Sequence, residues 1–511
     1  MTRTVQRWRG TLLPLAVVFF LLAGYAYAEE DMTDSQITSA VEAELLIDPA
    51  VVSDFIDVST DAGVVTLEGN VNNLLAERRA EDIATTVRGV RSVINRIEVN
   101  PPEVEDDSLR MYVQQALLWD PATEKLEIAV SARQGQVRLE GTVESHQEKL
   151  LADIVTAGVR GVEELRNDIT VDYTEERSDG EIREEIRRSL HWNAYIDDYI
   201  IDVHVDDGNV ALEGTVGSMA EKNEATLSAW VAGVEQVNNL NLEVDPAYSD
   251  PDQRSERYAD LSDDAIEQAV FDTYFYDPRV NAMNVDVEAD DGHVTLSGTV
   301  DNLKARRVAA RDARNVLGVW GVDNRVLVRP ELTEDQEIRE NIRTAFLRDP
   351  YVERFDISVV VDDGQVYLDG KVDSYYEKAR ADDIAARQSG VREVVNFLEI
   401  SETQVAVFEP YMDQWYINDF NWFHRSLDTV SGMTDWEIRW NIQEQILWSP
   451  HLDSEDIQVE VDNGMARLTG TVSTWHQRNE ATMNALEGGA NLVDNDIKVT
   501  YGPEFLLLNT P

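Results

Sequence analysis

A five-residue skeleton, Leu-x-Gly-x-Val, written six times, limits what this chain can fold into more than any other part of it. It stands at Leu67/Gly69/Val71, Leu139/Gly141/Val143, Leu212/Gly214/Val216, Leu296/Gly298/Val300, Leu368/Gly370/Val372 and Leu468/Gly470/Val472. A Gly-Val or Gly-Ala pair follows each copy, at Gly89, Gly161, Gly233, Gly318, Gly390 and Gly489, and six residues later comes an asparagine: Asn95, Asn167, Asn239, Asn324, Asn396, Asn495. A fixed period of about seventy residues outranks any single-window reading, so the chain is one small unit repeated. Units of that size bury only roughly 60% of their unfolded surface, and each gains by packing on a neighbour.

Each unit opens with an amphipathic helix. Apolar residues four apart recur as Ile37/Val41/Leu45, Leu109/Val113/Leu117, Ile182/Ile186/Leu190, Ile266/Val270/Tyr274, Ile338/Ile342/Phe346 and Ile438/Ile442/Ile446, which lays one stripe along a helix. Thr33 with Gln36, Ser178 with Glu181 and Thr434 with Glu437 have the spacing of capping boxes. Five of these helices stop at a proline, Pro49, Pro121, Pro278, Pro350 and Pro450, while the third has Asn193-Ala194 there; proline lacks the N–H that the helix needs.

A hairpin follows, with period-two alternation on both arms and tips such as Asp207-Gly208, Asp291-Gly292, Asp363-Gly364 and Asn463-Gly464, dipeptides that tolerate the positive φ of a type I′ turn. A second helix runs to the Gly-Val pair, where glycine suits a left-handed C-terminal cap, and a last strand carries the asparagine. The expected fold class is therefore α+β: tandem α-β-β-α-β units, each a mixed three-stranded sheet packed by two helices.

The boundaries expected are a signal peptide at 1–28, units at 29–100, 101–173 and 174–245, a linker at 246–260, units at 261–330 and 331–400, an aromatic insertion at 401–433, a sixth unit at 434–501 and a tail at 502–511. Arg3, Arg7 and Arg9, the apolar run Leu12 to Ala23 and the small-x-small site Ala26-Tyr27-Ala28 carry the signal reading. With no cysteine anywhere, disulfides, thiolate metal sites and a lipid on an N-terminal cysteine are excluded. A soluble periplasmic protein is expected, shaped as a rod or arc of six units, with the longer linker giving two triplets some freedom between them.

The net charge is minus 54, and minus 57 once the three signal arginines are removed. Such a field repels nucleic acid and anionic headgroups. No catalytic constellation is present: the seven histidines fall at different places in their units, and neither a nucleophile elbow nor a complete P-loop occurs. The Asp-Asp-Gly tips lack the alternating ligands and terminal Glu of a calcium loop. No enzyme, metal or cofactor is expected. The recurrent glycines and asparagines read as structural, the glycines for close backbone packing or a bend and the asparagines for a side-chain bond to a loop backbone.

The hairpin arm, the Gly-Val pair, the x-Asn-x-Ile/Leu strand and the α-β-β-α-β order together resemble the BON (bacterial OsmY and nodulation) domain family, over nearly the whole mature chain. The resemblance implies an exported envelope protein linked to osmotic stress or envelope integrity, with phospholipid binding or a chaperone-like role, and envelope proteins or a membrane surface as partners.

Function, where local, is expected where the copies differ. In the second helix of unit 4, Lys304, Arg307, Arg311 and Arg314 fall within an arc of about 80° at 100° per residue. That stripe is either a site for an anionic headgroup or acidic partner or a face that pairs with acids of neighbouring units. In the insertion, Phe408, Tyr411, Trp415, Tyr416, Phe420, Trp422 and Phe423 crowd together against a chain average of 8% aromatic residues. Exposed, they form a docking surface; buried, they lock unit 6 onto unit 5.

Overall fold

A computed structural model describes residues 32–51, 55–173, 177–245, 261–330, 332–400, 433–452, 454–490 and 492–499. The signal segment, the linker 246–260, insertion residues 401–432 and the tail lie outside the described residues.

Unit 1 shows the plan. Helix α1 (Asp34–Ile47) starts on the capping box of Thr33 and Gln36, strands β1 (Ile56–Asp61) and β2 (Val64–Val71) form an antiparallel hairpin, α2 (Leu74–Thr86) crosses over, and β3 (Ser92–Val99) returns parallel to β2. The sheet order is β1-β2-β3, and the other five units repeat it. Their first helices are Asp106–Trp119, Asp179–Trp192, Asp263–Tyr276, Asp335–Arg348 and Asp435–Trp448; their second helices are His146–Ala157, Met219–Ser228, Leu303–Arg314, Tyr375–Ala386 and Trp475–Glu487.

Every residue of the six apolar stripes is buried, from fully enclosed Val41 to Phe346 at 6% exposure. All three expected capping boxes form. Ala305, Ala309, Ala313 and Val316 of unit 4 face its core. At about 25 cal/mol per Å2 such burial is each unit's main stabilising term.

The repeated phrase has a steric reason. Gly298 pairs with Val285 across the hairpin at φ +109, and a Cβ there would overlap the Asn284 carbonyl oxygen. The other five copies meet the same obstacle. A Cβ on Gly69, Gly141, Gly214, Gly370 or Gly470 would collide with the carbonyl oxygen of Phe55, Glu127, Ile200, Asp356 or Asp456 respectively, at 2.8 Å or less in every case. Of the two expected reasons for these glycines, close backbone packing therefore holds in all six. A break in the strand accompanies it only at Gly370, which separates Gln365–Asp369 from Lys371–Val372; Gly69, Gly141, Gly214, Gly298 and Gly470 lie inside unbroken eight-residue strands. The hairpin tip, Asp291 at φ 49 and Gly292 at φ 75, is left-handed at both positions, as a type I′ turn requires.

The rod or arc is corrected by the contacts between units. The N–H of Arg88 in unit 1 donates to Trp448 O of unit 6 at 3.0 Å, Arg160 of unit 2 to Arg348 O of unit 5 at 2.7 Å, and Leu317 of unit 4 to Trp192 O of unit 3 at 2.8 Å. These are one bond made three times, from the residue before the Gly-Val glycine to the last residue of a first helix. It pairs units 1 with 6, 2 with 5 and 3 with 4.

A second set starts from the loops after the first helices: Tyr351 of unit 5 donates to Ala50 O of unit 1 at 3.0 Å, and Tyr195 of unit 3 lies edge-on to His451 in the matching loop of unit 6 and to His476 in its second helix. Within triplets, the Arg78–Asp153 pair joins units 1 and 2 and the Arg307–Asp382 pair joins units 4 and 5, each at 2.5 Å. His146 of unit 2 stacks on Trp230 of unit 3 at 3.6 Å, and Trp320 of unit 4 packs on Trp475 of unit 6. Cores cross the boundaries too: Trp448 packs against the core of unit 1, Trp192 against that of unit 4, and Tyr351 enters that of unit 2. Two triplets stacked face to face satisfy all these contacts; an extended string does not. Small units that bury only roughly 60% of their unfolded surface gain by closing on one another.

Candidate functional site

The basic helix of unit 4 was the sequence's strongest local departure from acidity. Asn302 caps it by accepting from the Ala305 N–H, and its alanine face fixes its rotation against the core. That rotation turns Lys304 and Arg307 into the joint with unit 5. Lys304 Nζ lies 2.7 Å from Asp383 Oδ1, the two side chains 9% and 1% exposed, and Arg307 Nη1 lies 2.5 Å from Asp382 Oδ2.

Burial pushes the Lys304 ammonium down to about 8, and Asp383 opposes that loss of charge. Burial alone would raise Asp383, but Arg387 and Lys304 hold it below the usual carboxylate range. A bare carboxylate or ammonium there would be costly, so each requires the other. Arg311 bonds Asp312 Oδ1 at 2.7 Å and approaches Asp277 at 3.7 Å. The Arg314 side chain is exposed, and its carbonyl accepts from His476 Nε2. Lys304, Arg307 and Arg311 therefore face acidic partners within the protein, the first two on unit 5. The insertion aromatics Trp415, Tyr416, Phe420, Trp422 and Phe423 lie outside the described residues. The helix that follows them presents Trp436 and Trp440, stacked at 5.9 Å and exposed by 60% and 48%.

The recurrent asparagines tie the last strand to the second helix rather than to a loop. Asn167, Asn324, Asn396 and Asn495 donate to the helix carbonyls of Lys149, Arg306, Lys378 and Arg478 at 2.8–2.9 Å. Each Oδ1 accepts the N–H two residues on. Asn95 instead meets the Glu77 and Glu81 carboxylates. In unit 3 a register shift between Ala211 and Glu213 divides these bonds between two neighbours. There Asn239 bonds Thr226, and Asn238 accepts the Leu240 N–H.

A further recurrent residue carries no local motif. The first residue of each first helix, Asp34, Asp106, Asp179, Asp263, Asp335 or Asp435, accepts backbone N–H groups of its own unit's hairpin tip at 2.7–3.1 Å. An aspartate 28 residues before every tip was the available signal. Among the described residues no group of three or more His, Asp or Glu side chains is placed to hold a metal ion, and none of the helices is long and apolar enough to cross a membrane.

A cavity of about 210 Å3 lies where units 3 and 4 meet, with unit 2 at its edge; Trp192, Trp230, Tyr276 and Asp312 are among its lining residues. The corresponding joint of units 2 and 5 encloses about 70 Å3. Sequence reasoning missed this site, because its walls come from three units; the one local hint was the missing proline at Asn193-Ala194.

Comparison with known proteins places these features. The chain is 28% identical over 200 residues to Osmotically-inducible protein Y of Escherichia coli strain K12, covering 33% of this chain and 98% of that protein. It is 28% identical over 141 residues to the Outer membrane lipoprotein DolP of Haemophilus influenzae, covering 26% and 72% respectively. Among solved structures, CdsD, a structural protein of the type III secretion system of Chlamydia trachomatis, aligns over 40% of this chain and 89% of its own at 14% identity and a TM-score of 0.12, too low to carry an argument. The BON domain matches residues 33–101, 105–173, 178–246, 262–330, 334–402 and 434–501. The repeated hairpin glycine, the strand asparagine and these six matches together make the chain a member of the BON domain family.

Proposed function

We propose that this is an exported, non-enzymatic envelope protein that binds partner proteins in a chaperone-like manner during osmotic stress. The observation that carries the reading is the burial of Lys304 and Arg307 in the joint of units 4 and 5. With those cations consumed, a chain of net charge minus 54 presents an acidic exterior, suited to basic or partly unfolded clients rather than anionic headgroups. Similarity to an osmotically inducible protein and an outer-membrane lipoprotein supports the envelope setting. The test is suppression of heat-induced aggregation of a basic model protein, lysozyme for example. Suppression that weakens with salt supports the reading; none at equimolar chain sinks it.

A second reading, peripheral phospholipid binding, is favoured by the exposed Trp436 and Trp440 pair beside the aromatic insertion. Tryptophan suits the membrane interface because its ring is apolar and its N–H polar. Co-sedimentation with phosphatidylglycerol vesicles that is lost in a Trp436→Ala/Trp440→Ala variant would favour this reading over the first.

A further inference from the structure

We propose that the cavity at the joint of units 3 and 4 is a binding site for a small organic cation, a primary ammonium carried on a flat apolar body. The proposal does not depend on the client reading above.

The repeat supplies its own control. Asp312 stands ten residues after the helix cap Asn302, where units 1, 2 and 5 place Ile83, Val155 and Ile384 after caps Asn73, Ser145 and Ser374. Those three are buried and apolar, at 3%, 9% and 8% exposure. Units 3 and 6 place Ser228 and Asn484 at the same step after caps Ser218 and Thr474, so a carboxyl there is peculiar to unit 4. Trp230 stands three residues before Gly233, where unit 2 has Gly158 before Gly161, and Tyr276 stands before Asp277, where unit 5 has Arg348 before Asp349. The departures converge on the joint that encloses about 210 Å3, against about 70 Å3 at its counterpart. One water needs only about 10–15 Å3, so a ligand of several heavy atoms fits.

The charges choose the ligand's sign. Arg279 is held by Asp277, Arg311 spans Asp312 Oδ1 and Asp277, and Arg188 sits 3.9 Å from Asp272. An anion would compete with carboxylates already seated on these guanidiniums. Asp312 Oδ2, by contrast, is closed to solvent and accepts no hydrogen bond. A buried acceptor left unmet is costly, and a turn of the Asp312 carboxyl toward the cavity would let a ligand ammonium supply the missing donor together with the opposite charge. Burial raises the Asp312 carboxyl to about 7, Arg311 opposing, which is the cost an ammonium would offset. Trp192, Tyr276 and the His146-stacked Trp230 provide aromatic walls of the kind that attract cations and hold flat apolar bodies.

The test is isothermal titration of the full chain with tyramine, with 4-ethylphenol (the same body without nitrogen) and with 4-hydroxyphenylacetate (the same body with an acid). Saturable binding of tyramine is expected, at least tenfold tighter than either analogue. Asp312→Asn should weaken it at least tenfold. Leu227→Trp, which adds bulk at a cavity-lining position already 39% exposed, should abolish it while leaving the melting temperature unchanged. The proposal is overturned if tyramine gives no saturable heat, if the acid binds as well, or if Asp312→Asn binds unchanged. Should Asp312→Asn fail to fold, full tyramine binding by Leu227→Trp overturns it.

Discussion

Reversing the charge of Arg307 separates a membrane-facing stripe from a structural joint. The Arg307 side chain is 19% exposed and its partner Asp382 only 2%. Arg307→Glu would set a carboxylate beside a carboxylate that burial already drives above its usual range, against the pull of Arg307 itself. Breaking a buried pair costs about 3–5 kcal/mol. Because Arg307 keeps some solvent contact, a loss at the lower end, about 3 kcal/mol, is expected. The equivalent pair Arg78–Asp153 of units 1 and 2 is 35% and 19% exposed, so Arg78→Glu should cost only about 1 kcal/mol.

The assay is guanidinium denaturation followed by circular dichroism, comparing the midpoint of the first transition. The partner reversal Asp382→Arg should restore most of the loss in the double variant and in neither single one. The reasoning fails if Arg307→Glu shifts the midpoint no more than Arg78→Glu does. It fails equally if the double variant is no better than the singles, or if Arg307→Glu removes vesicle binding and leaves stability untouched.

Three more outcomes are expected. With a protease site placed within 246–260 and cut, the halves should co-elute as one particle, because units 1, 2 and 3 each bond a unit of the other half; two separate peaks at micromolar chain would refute the closed assembly. Asp263→Ala removes the acceptor of the Asp291 and Gly292 N–H groups; it should cost about 1–2 kcal/mol and speed amide exchange at that tip. Burial raises Glu44 from 4.5 to about 7, with the Gln445 hydrogen bond opposing. A carboxyl raised on folding binds its proton more tightly in the folded state, so its contribution is full below about pH 4.5 and is lost as pH climbs through about 7. Glu44→Gln should therefore match the parent near pH 5 and exceed it by roughly 1–3 kcal/mol near pH 8, read from thermal melts; equal stability at both would contradict the burial.

The candidate site shows where sequence legibility stopped. That Lys304 and Arg307 share one helix face follows from 3.6 residues per turn alone. That the face meets Asp382 and Asp383 does not, because those acids lie 75 and 79 residues further on in a helix whose acidic positions resemble any solvated surface. The cavity was less legible still, since Trp192, Trp230, Tyr276 and Asp312 are unremarkable within their own units. Only alignment of the copies could have marked Asp312 as the one carboxyl at a position that the others fill with Ile83, Val155, Ser228, Ile384 and Asn484.

The unit itself needed nothing beyond the order of residues. Period, stripe, hairpin tip and strand asparagine are local or recur every seventy or so residues, and helix and sheet follow from spacings that neighbouring residues enforce. The company each unit keeps was settled only in three dimensions. Gln445 reaches Glu44 across 401 residues, and Tyr351 reaches Ala50 across 301. Six units of one fold can be ordered around one another in many ways without changing any local pattern. The choice among them rests on side chains at the joints, where one copy's glycine is another's tryptophan, and such differences acquire meaning only when the surfaces meet.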